Sequence, residues 1–157
     1  MFVLKYKMEC KVAHIKLVDA EAIRPLRHKM LRQGKTYSTT SYKRDNENLT
    51  IHLAATIEEK IVSCATFYPE ETNKSRDKNA YRLRGMATDS SCLRKGYGRQ
   101  VMHEAFQVLK SKECDLLWCN ARLIAVPFYQ SVGFQEVGEL FDISDIGPHY
   151  YMHKRIK

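Results

Sequence analysis

The sequence predicts a mixed α/β layer fold confined to one domain. Its 157 residues match the usual size of a single domain. Short apolar or alternating runs are interleaved with stretches of helical spacing. Their order along the chain is β-α-(α)-β-β-β-α-β-α-β-β, with no internal repeat and no low-complexity segment.

Each element has its own reason. Cys10 to Leu17 alternates, Val12, His14 and Lys16 against Ala13, Ile15 and Leu17, and predicts the first strand. Asp19 is the expected N-cap of a helix running to about Gln33, with Ile23, Leu26, Met30 and Leu31 at helical spacing. Pro25 fits only in that helix's first turn or at a kink. Gly34 to Asn48 is polar and reads as a loop with at most a short second helix. Leu49–Ile57 and Lys60–Tyr68 read as strands, and Glu58-Glu59 between them marks a hairpin. Pro69 to Lys78 is charged and turn-rich and reads as a flexible loop. Ala80–Thr88 is the fourth strand. Gly98 to Lys112 is an amphipathic helix with Val101, Ala105, Val108 and Leu109 on one face. Asp115–Asn120 is a short strand carrying the single tryptophan, Trp118. Leu123–Val132 is a shorter helix, irregular at its start because of Pro127 and closed by Gly133 at C′. Phe134–Phe141 and His149–Ile156 are the last two strands.

Composition narrows the partners. Lysine and arginine total 26 against 18 acidic residues, a formal charge of +8. That balance favours anionic partners, either nucleic acid or a cofactor with several phosphates. The five cysteines are odd in number and form no CxxC pair, which argues for reduced thiols and against a disulfide framework or a tetrahedral metal site. No apolar run approaches the roughly 20 residues needed to span a bilayer. Met1-Phe2-Val3-Leu4-Lys5 lacks the long apolar stretch of a signal peptide, so a cytoplasmic protein without a membrane partner is expected.

The strongest local signal is Met86-Ala87-Thr88-Asp89-Ser90-Ser91-Cys92-Leu93-Arg94-Lys95-Gly96-Tyr97-Gly98-Arg99, a strand, a loop and a helix start. A helix N-terminus presents unpaired N–H groups and a dipole that favours negative charge. Gly96 and Gly98 remove Cβ atoms that would block a phosphate, and Arg94, Lys95 and Arg99 add positive charge. A dinucleotide GxGxxG would need glycine where Val101 stands, and no GxxxxGK(S/T) loop exists. His103-Glu104 lacks the second histidine of HExxH, since Gln107 stands there, and reads as a solvated helix face. The loop alone therefore specifies only an anion site.

A second segment, Asn120-Ala121-Arg122-Leu123-Ile124-Ala125-Val126-Pro127-Phe128-Tyr129-Gln130-Ser131-Val132-Gly133-Phe134, lies one strand and one helix downstream. Together the two segments resemble the GNAT superfamily of N-acetyltransferases, whose glycine loop reads (Q/R)-x-x-G-x-(G/A) and whose later helix reads N-x-x-A-x-x-(F/L)-Y-x-x-x-G-F. Gly138 to Ile143 and Gly147 to Tyr150 resemble a bacterial subgroup. The resemblance is close from about residue 80 to 153. It departs from the pattern at Leu93, where Gln or Arg is usual, and at Arg122, where the family commonly has an asparagine that contacts the pantetheine arm.

The resemblance implies a mixed, mostly antiparallel sheet of six or seven strands, flanked by about four helices, with splayed fourth and fifth strands. It implies acetyl-CoA as cofactor and transfer to an amine substrate by direct attack on the thioester. Residues implied at the cofactor are Met86, Ala87, Thr88, the loop from Leu93 to Arg99, Asn120, Arg122 and Phe128. Tyr129 matches the general acid; by itself it would read as a core aromatic. The fourth strand offers no carboxylate base, and His149, in the loop before the last strand, is the candidate base or substrate contact, or else a histidine bonded to backbone. Dimers are common in the family, and no feature here decides for or against a homodimer. Two rivals remain: a non-catalytic acyl-CoA sensor of the same fold, and a basic nucleic-acid-binding module. For the latter, only Tyr81-Arg82-Leu83-Arg84 suggests aromatics alternating with basic residues. The loops Gly34–Asn48, Pro69–Asn79 and Asp142–His149 are expected to shape the acceptor pocket.

Overall fold

A computed structural model describes residues 11–157, so Cys10 and the first five residues lie outside the described part. Among the described residues eight strands form one sheet: β1 (His14–Leu17), β2 (Ile51–Ile57), β3 (Lys60–Pro69), β4 (Ala80–Thr88), β5 (Leu116–Arg122), β6 (Gln135–Glu136), β7 (Phe141–Ile143) and β8 (Gly147–Arg155). Their order is β1-β2-β3-β4-β5-β8-β6, with β7 also on β8. Every pairing is antiparallel except β4 with β5. Three α-helices are present among the described residues: α1 (Ala20–Leu31), α2 (Tyr97–Ser111) and α3 (Val126–Ser131). The expected short second helix is a 3-10 turn, Tyr37–Thr40. No helix of the described residues is long and apolar enough to cross a membrane.

Local chemistry explains most boundaries. The Asp19 side chain accepts a hydrogen bond from Ala22 N at 2.9 Å and caps α1. Pro25 sits in the second turn of α1, beyond the expected position. It removes one backbone bond, and the helix continues because α1 is held on its sheet face. Glu58 and Glu59 both have positive φ, 48° and 64°, as a two-residue hairpin turn with the right twist requires. The single strand expected over Phe134–Phe141 is two strands, because Gly138 at φ 83° turns the chain between them. His149 lies inside β8, not in the loop before it: β8 already begins at Gly147, and Pro148 is tolerated near the strand's start.

The helices divide the sheet into two faces. α1 buries Ile23 and Leu26 against Ala54, Cys64 and Ala87. On the other face α2 and α3 bury Val101, Met102, Leu109 and Tyr129 against Leu53, Phe67, Leu83 and Leu117. Each such side chain contributes about 1.5–3 kcal/mol by leaving water. Cys64, Cys114 and Cys119 are buried thiols within these layers, and burial pushes Cys64 up to about 12 and Cys114 up to about 11.

Two irregularities shape the centre. β4 pairs with β5 only at Ala80–Arg82 opposite Leu116–Trp118. Beyond Arg82 the two strands diverge, so the β5-facing edge of β4 has no strand partner. On its other edge β4 carries a bulge: Cys64 pairs with Ala87 but Thr66 pairs with Arg84. One extra residue therefore stands on β4 around Gly85, which has φ 62°.

A buried ion pair joins α1 to the sheet. The Arg27 side chain has no solvent exposure and that of Asp45 has 2%. Arg27 Nη1 donates to Asp45 Oδ2 at 2.6 Å and to Thr40 O at 2.9 Å. Its Nη2 donates to Asp45 Oδ1 at 3.0 Å and to Thr66 Oγ1 at 2.6 Å. Burial alone would raise the Asp45 carboxyl, but Arg27 and the Tyr42 N–H outweigh it and hold it below the usual carboxylate range. His52 closes the cluster, with Nε2 donating to Asp45 O at 2.9 Å and Nδ1 facing Thr66 Oγ1 at 2.8 Å.

Removing one partner leaves the other charge buried and alone. Arg27→Met should cost about 3–5 kcal/mol in urea denaturation, and adding Asp45→Leu should recover a substantial part. A single-variant loss under 1 kcal/mol would show the pair to be dispensable. His52 gives a pH signature. Burial lowers its pKa from the ordinary 6.5, with the Asp45 hydrogen bond and charge opposing. Below about pH 6.5 the unfolded chain takes up this proton more readily than the folded one, so stability is lost as pH falls through that window. The urea midpoint should drop between about pH 7.5 and 5.5, and His52→Gln should flatten part of that slope; an unchanged slope would acquit His52.

Candidate active site

The loop after β4 is built as a cradle. Asp89 N donates to Val62 O, and the Asp89 carboxylate accepts from Ser91 N at 3.0 Å and Ser91 Oγ at 2.7 Å. Lys29 Nζ reaches the same carboxylate at 2.9 Å. These partners, the Ser91 hydrogen bonds first, hold Asp89 well below the usual carboxylate range. A fixed anion near the loop is thereby neutralised from α1. The chain then passes through Arg94 at φ 59° and Gly96 at φ 84° into α2. Gly96 occupies the N-cap position, and no side chain caps the helix. The first turn of α2 is thus left to an external anion.

The two glycines do different work. A Cβ on Gly96 would meet nothing within 4 Å, so this position faces open space. A Cβ on Gly98 would come within 3.0 Å of Met86 Cε and 3.3 Å of the Phe128 ring. Gly98 therefore lets α3 and the end of β4 pack on α2, and it lines the cavity at the helix start together with Gly96. The neighbouring side chains also separate. Arg94 lines the cavity beside the loop, as do Leu93, Arg99 and Phe128. The Arg99 guanidinium also donates to Ser131 O at the end of α3, at 3.2 Å. The Tyr97 ring is buried in the core, with its hydroxyl donating to Lys11 O. Lys95 lines neither cavity described here.

Two cavities run together along the splay. One of 620 Å³ lies at the α2 start. The other, of 530 Å³, lies between the diverging strands and is lined by Met86, Ala87, Thr88, Asn120, Arg122, Tyr129 and His149. They share Thr88, Leu93 and Ile124. Leu93 is 53% exposed and Ile124 89%, an apolar rim at the junction. Arg122 lines the inner cavity, and its Nη2 donates to Leu31 O at the end of α1, at 3.2 Å.

Tyr129 and His149 flank the inner cavity. Tyr129 is 7% exposed, with Phe128 and Phe134 packed on its ring at 5.3 Å each. Its hydroxyl has no hydrogen-bond partner among the described residues. Burial, then the nearby Cys119, push its pKa well above 10, and the Arg122 charge opposes them. His149 stands opposite Arg122 in the β5–β8 register and is 3% exposed. Its Nδ1 lies 2.7 Å from Gly147 O. A carbonyl can only accept, so Nδ1 carries hydrogen and a neutral ring keeps its lone pair on Nε2.

Among the polar residues of this cavity, Arg32 and Tyr42 were given no role by the sequence, and Arg82 and Arg84 entered only through the nucleic-acid reading. The alternation Tyr81-Arg82-Leu83-Arg84 contained the signal. Tyr81 and Leu83 face the core, so both arginines share the opposite face. That fragment therefore exposes no aromatic, contrary to the nucleic-acid reading of it.

A continuous groove with an open helix start at one end and a phenol at the other suits a long ligand with phosphates at one end and a reactive group at the other. That is the arrangement of an acyl-CoA-dependent acyltransferase. The sequence profile described as "Acetyltransferase (GNAT) family" matches residues 19–134, and the chain belongs to this family, whose acyl donor is acetyl-CoA. It is 32% identical over 143 residues to the uncharacterized N-acetyltransferase YitI of Bacillus subtilis (strain 168), covering 91% of this chain and 96% of that protein. Its fold is similar to that of aminoglycoside 6'-N-acetyltransferase complexed with coenzyme A, at a TM-score of 0.73 and 13% identity over 92% of this chain and 97% of that one. The IAA acetyltransferase of Bacillus cereus is also similar, at a TM-score of 0.68 and 13% identity over 92% and 99%.

The glycine roles can be separated by substitution. Gly96→Ala forces a side chain into a left-handed backbone and should cost about 1–2 kcal/mol in urea denaturation. Gly98→Ala gains about 1 kcal/mol of helix propensity but must displace the end of Met86 and the Phe128 ring, so its net cost should be smaller than that of Gly96→Ala. Equal losses would refute the division of labour.

Proposed function

We propose that the protein transfers the acetyl group of acetyl-CoA to a primary amine of a small molecule or peptide by direct attack. The observation that carries this is the single groove joining the uncapped start of α2 to the Tyr129 hydroxyl. In this reading the first turn of α2, with Arg94 and Arg99, holds the pyrophosphate. The unpaired edge of β4 from Met86 to Thr88 accepts the pantetheine arm as a strand would, with Leu93, Ile124 and Phe128 against its apolar parts. Bound acetyl-CoA would supply an activated thioester; the chain supplies position, polarisation and proton management.

The amine must arrive without its ammonium proton. His149 Nε2 takes that proton directly or through water. The amine nitrogen then bonds to the thioester carbon, backbone N–H groups of β4 stabilise the oxyanion, and the C–S bond breaks. The sulfur departs as a thiolate that accepts a hydrogen bond from Tyr129, and the proton that the nitrogen sheds on becoming an amide passes to it through water. Because burial raises the phenol's pKa, Tyr129 stays protonated and acts as a hydrogen-bond donor to the developing thiolate.

Tyr129→Phe removes only that hydrogen. With the amine that turns over fastest in a panel of amino acids, polyamines, aminoglycosides and peptide N-termini, kcat for CoA release should fall about 10²–10⁴-fold. Coenzyme A affinity by calorimetry should stay within about threefold. Equal kcat in both proteins would remove Tyr129 from the chemistry, and failure of the wild-type protein to bind coenzyme A would overturn the whole reading.

A further inference from the structure

We propose that the acceptor amine carries a carboxylate or a phosphate, held by arginines on the α1 side of the splayed strands. This deepens the acetyl-CoA reading and rests on it. The inner cavity is lined by Arg32, Arg82, Arg84, Arg122 and His149, and by no aspartate or glutamate. Such a wall repels a polycation and attracts an anion.

The four arginines are not equally engaged. Arg82 is paired with Glu70 at 3.0 Å and lies 4.7 Å over the Trp118 ring. Arg122 donates one hydrogen bond, to the same Leu31 O that Arg32 uses, and no ring among the described residues lies under its guanidinium. Arg84 has no carboxylate and no hydrogen-bond partner among the described residues. It is half-buried, with its guanidinium 4.5 Å from the Tyr42 ring centroid. Arg32 reaches the same ring at 5.8 Å, and its one hydrogen bond, 3.2 Å long, goes to the backbone of Leu31. Stacking on a tyrosine sets a guanidinium's direction while leaving its donors free for a bidentate oxyanion. The cofactor's phosphates have their own cations, Arg94 and Arg99, at the other end of the groove. Arg84 and Arg32 are left for the second substrate.

The same field bears on the proton. Positive neighbours disfavour an ammonium and lower its pKa. An amine delivered by its anionic group into this cavity would therefore lose its proton more readily, which eases the lack of a carboxylate base on β4. The rival route is a neighbouring 810 Å³ cavity that meets this one at Asn120. It has Glu71 and Glu139 as well as Lys74, and a cationic acceptor would sit there.

The test uses matched pairs that differ only in the anion: amino acids against their decarboxylated amines, and phosphoethanolamine against ethanolamine, with spermidine and kanamycin as polycations. Binding to the protein loaded with coenzyme A is measured by calorimetry, and turnover by CoA release from acetyl-CoA. The anionic member of at least one pair should bind at least tenfold tighter than its partner, and the better pair tells carboxylate from phosphate. Arg84→Gln should shrink that gap to within threefold and raise KM at least tenfold, with kcat and coenzyme A affinity nearly unchanged. Arg84→Lys should restore part of it. Equal or better binding by the neutralised partners or the polycations overturns the proposal, as does a gap that survives Arg84→Gln. Coenzyme A binding with no acceptor binding in any pair overturns it too. Loss of coenzyme A binding in the wild-type protein would instead strike the acetyltransferase reading beneath it.

Discussion

A guanidinium sealed from water must be neutralised where it stands, and much of the acceptor wall is arranged around Arg27 meeting that requirement. The Asp45 carboxylate that neutralises it also accepts from Tyr42 N, so the polar segment between α1 and β2 cannot wander. Tyr42 is thereby fixed, its ring centroid 4.0 Å from Arg27 and 4.5 Å from Arg84. Gly85 is part of the same arrangement, since a Cβ there would come within 3.0 Å of Arg27 Nε and 3.1 Å of Tyr42 Cε2. Such a pair adds little net stability over apolar packing of equal volume. Its effect is positional: it turns a loop with no secondary structure beyond one 3-10 turn into a defined surface.

The second constraint is the incomplete pairing of β4 and β5. A strand edge inside a protein leaves N–H and C=O groups that need partners. Here the edge faces a groove with apolar residues at its rim and backbone without a strand partner at its floor. In the proposed function, the alternating amides and methylenes of a pantetheine arm would answer both. The buried phenol of Tyr129 and the ring of His149 belong to the same opening, because α3 and β8 flank β5 where it leaves β4.

Legibility in the sequence followed how local each cause was. Ala80–Thr88 could be read to the residue because its alternation and flanking turns are self-contained. Asp19 and Glu58-Glu59 carried their own geometry. The Arg27–Asp45 pair was invisible, since an arginine on an amphipathic helix and an aspartate in a polar loop both look solvated until a fold joins them. Phe134–Phe141 conceals a turn because a lone glycine such as Gly138 fits a strand pattern as well as a left-handed turn. At the site, the glycine loop and the helix from Phe128 led to the groove through a shared spacing pattern. The pattern could not reveal that Gly98 serves packing, that Lys95 stands apart, or that Arg122 reaches back to α1. The arginine row went unrecognised because its meaning depends on which face α1 leaves uncovered.

The Gly85 bulge has a further effect on β4. Before it, odd-numbered residues point to the α2 face, Tyr81 and Leu83, and even-numbered residues to the α1 face, Arg82 and Arg84. After it the parity reverses: Met86 packs with the α2 layer and Ala87 with the α1 layer. One strand thus carries two reading phases, a cationic row below the glycine and a small-residue surface above it. Deleting Gly85 itself would remove the bulge and leave plain alternation, with Met86 still toward α2. Deleting a residue of β4 away from the bulge would instead swap the faces of everything on one side of the deletion. The bulge is thus the one place where this strand can lose a residue and keep both faces.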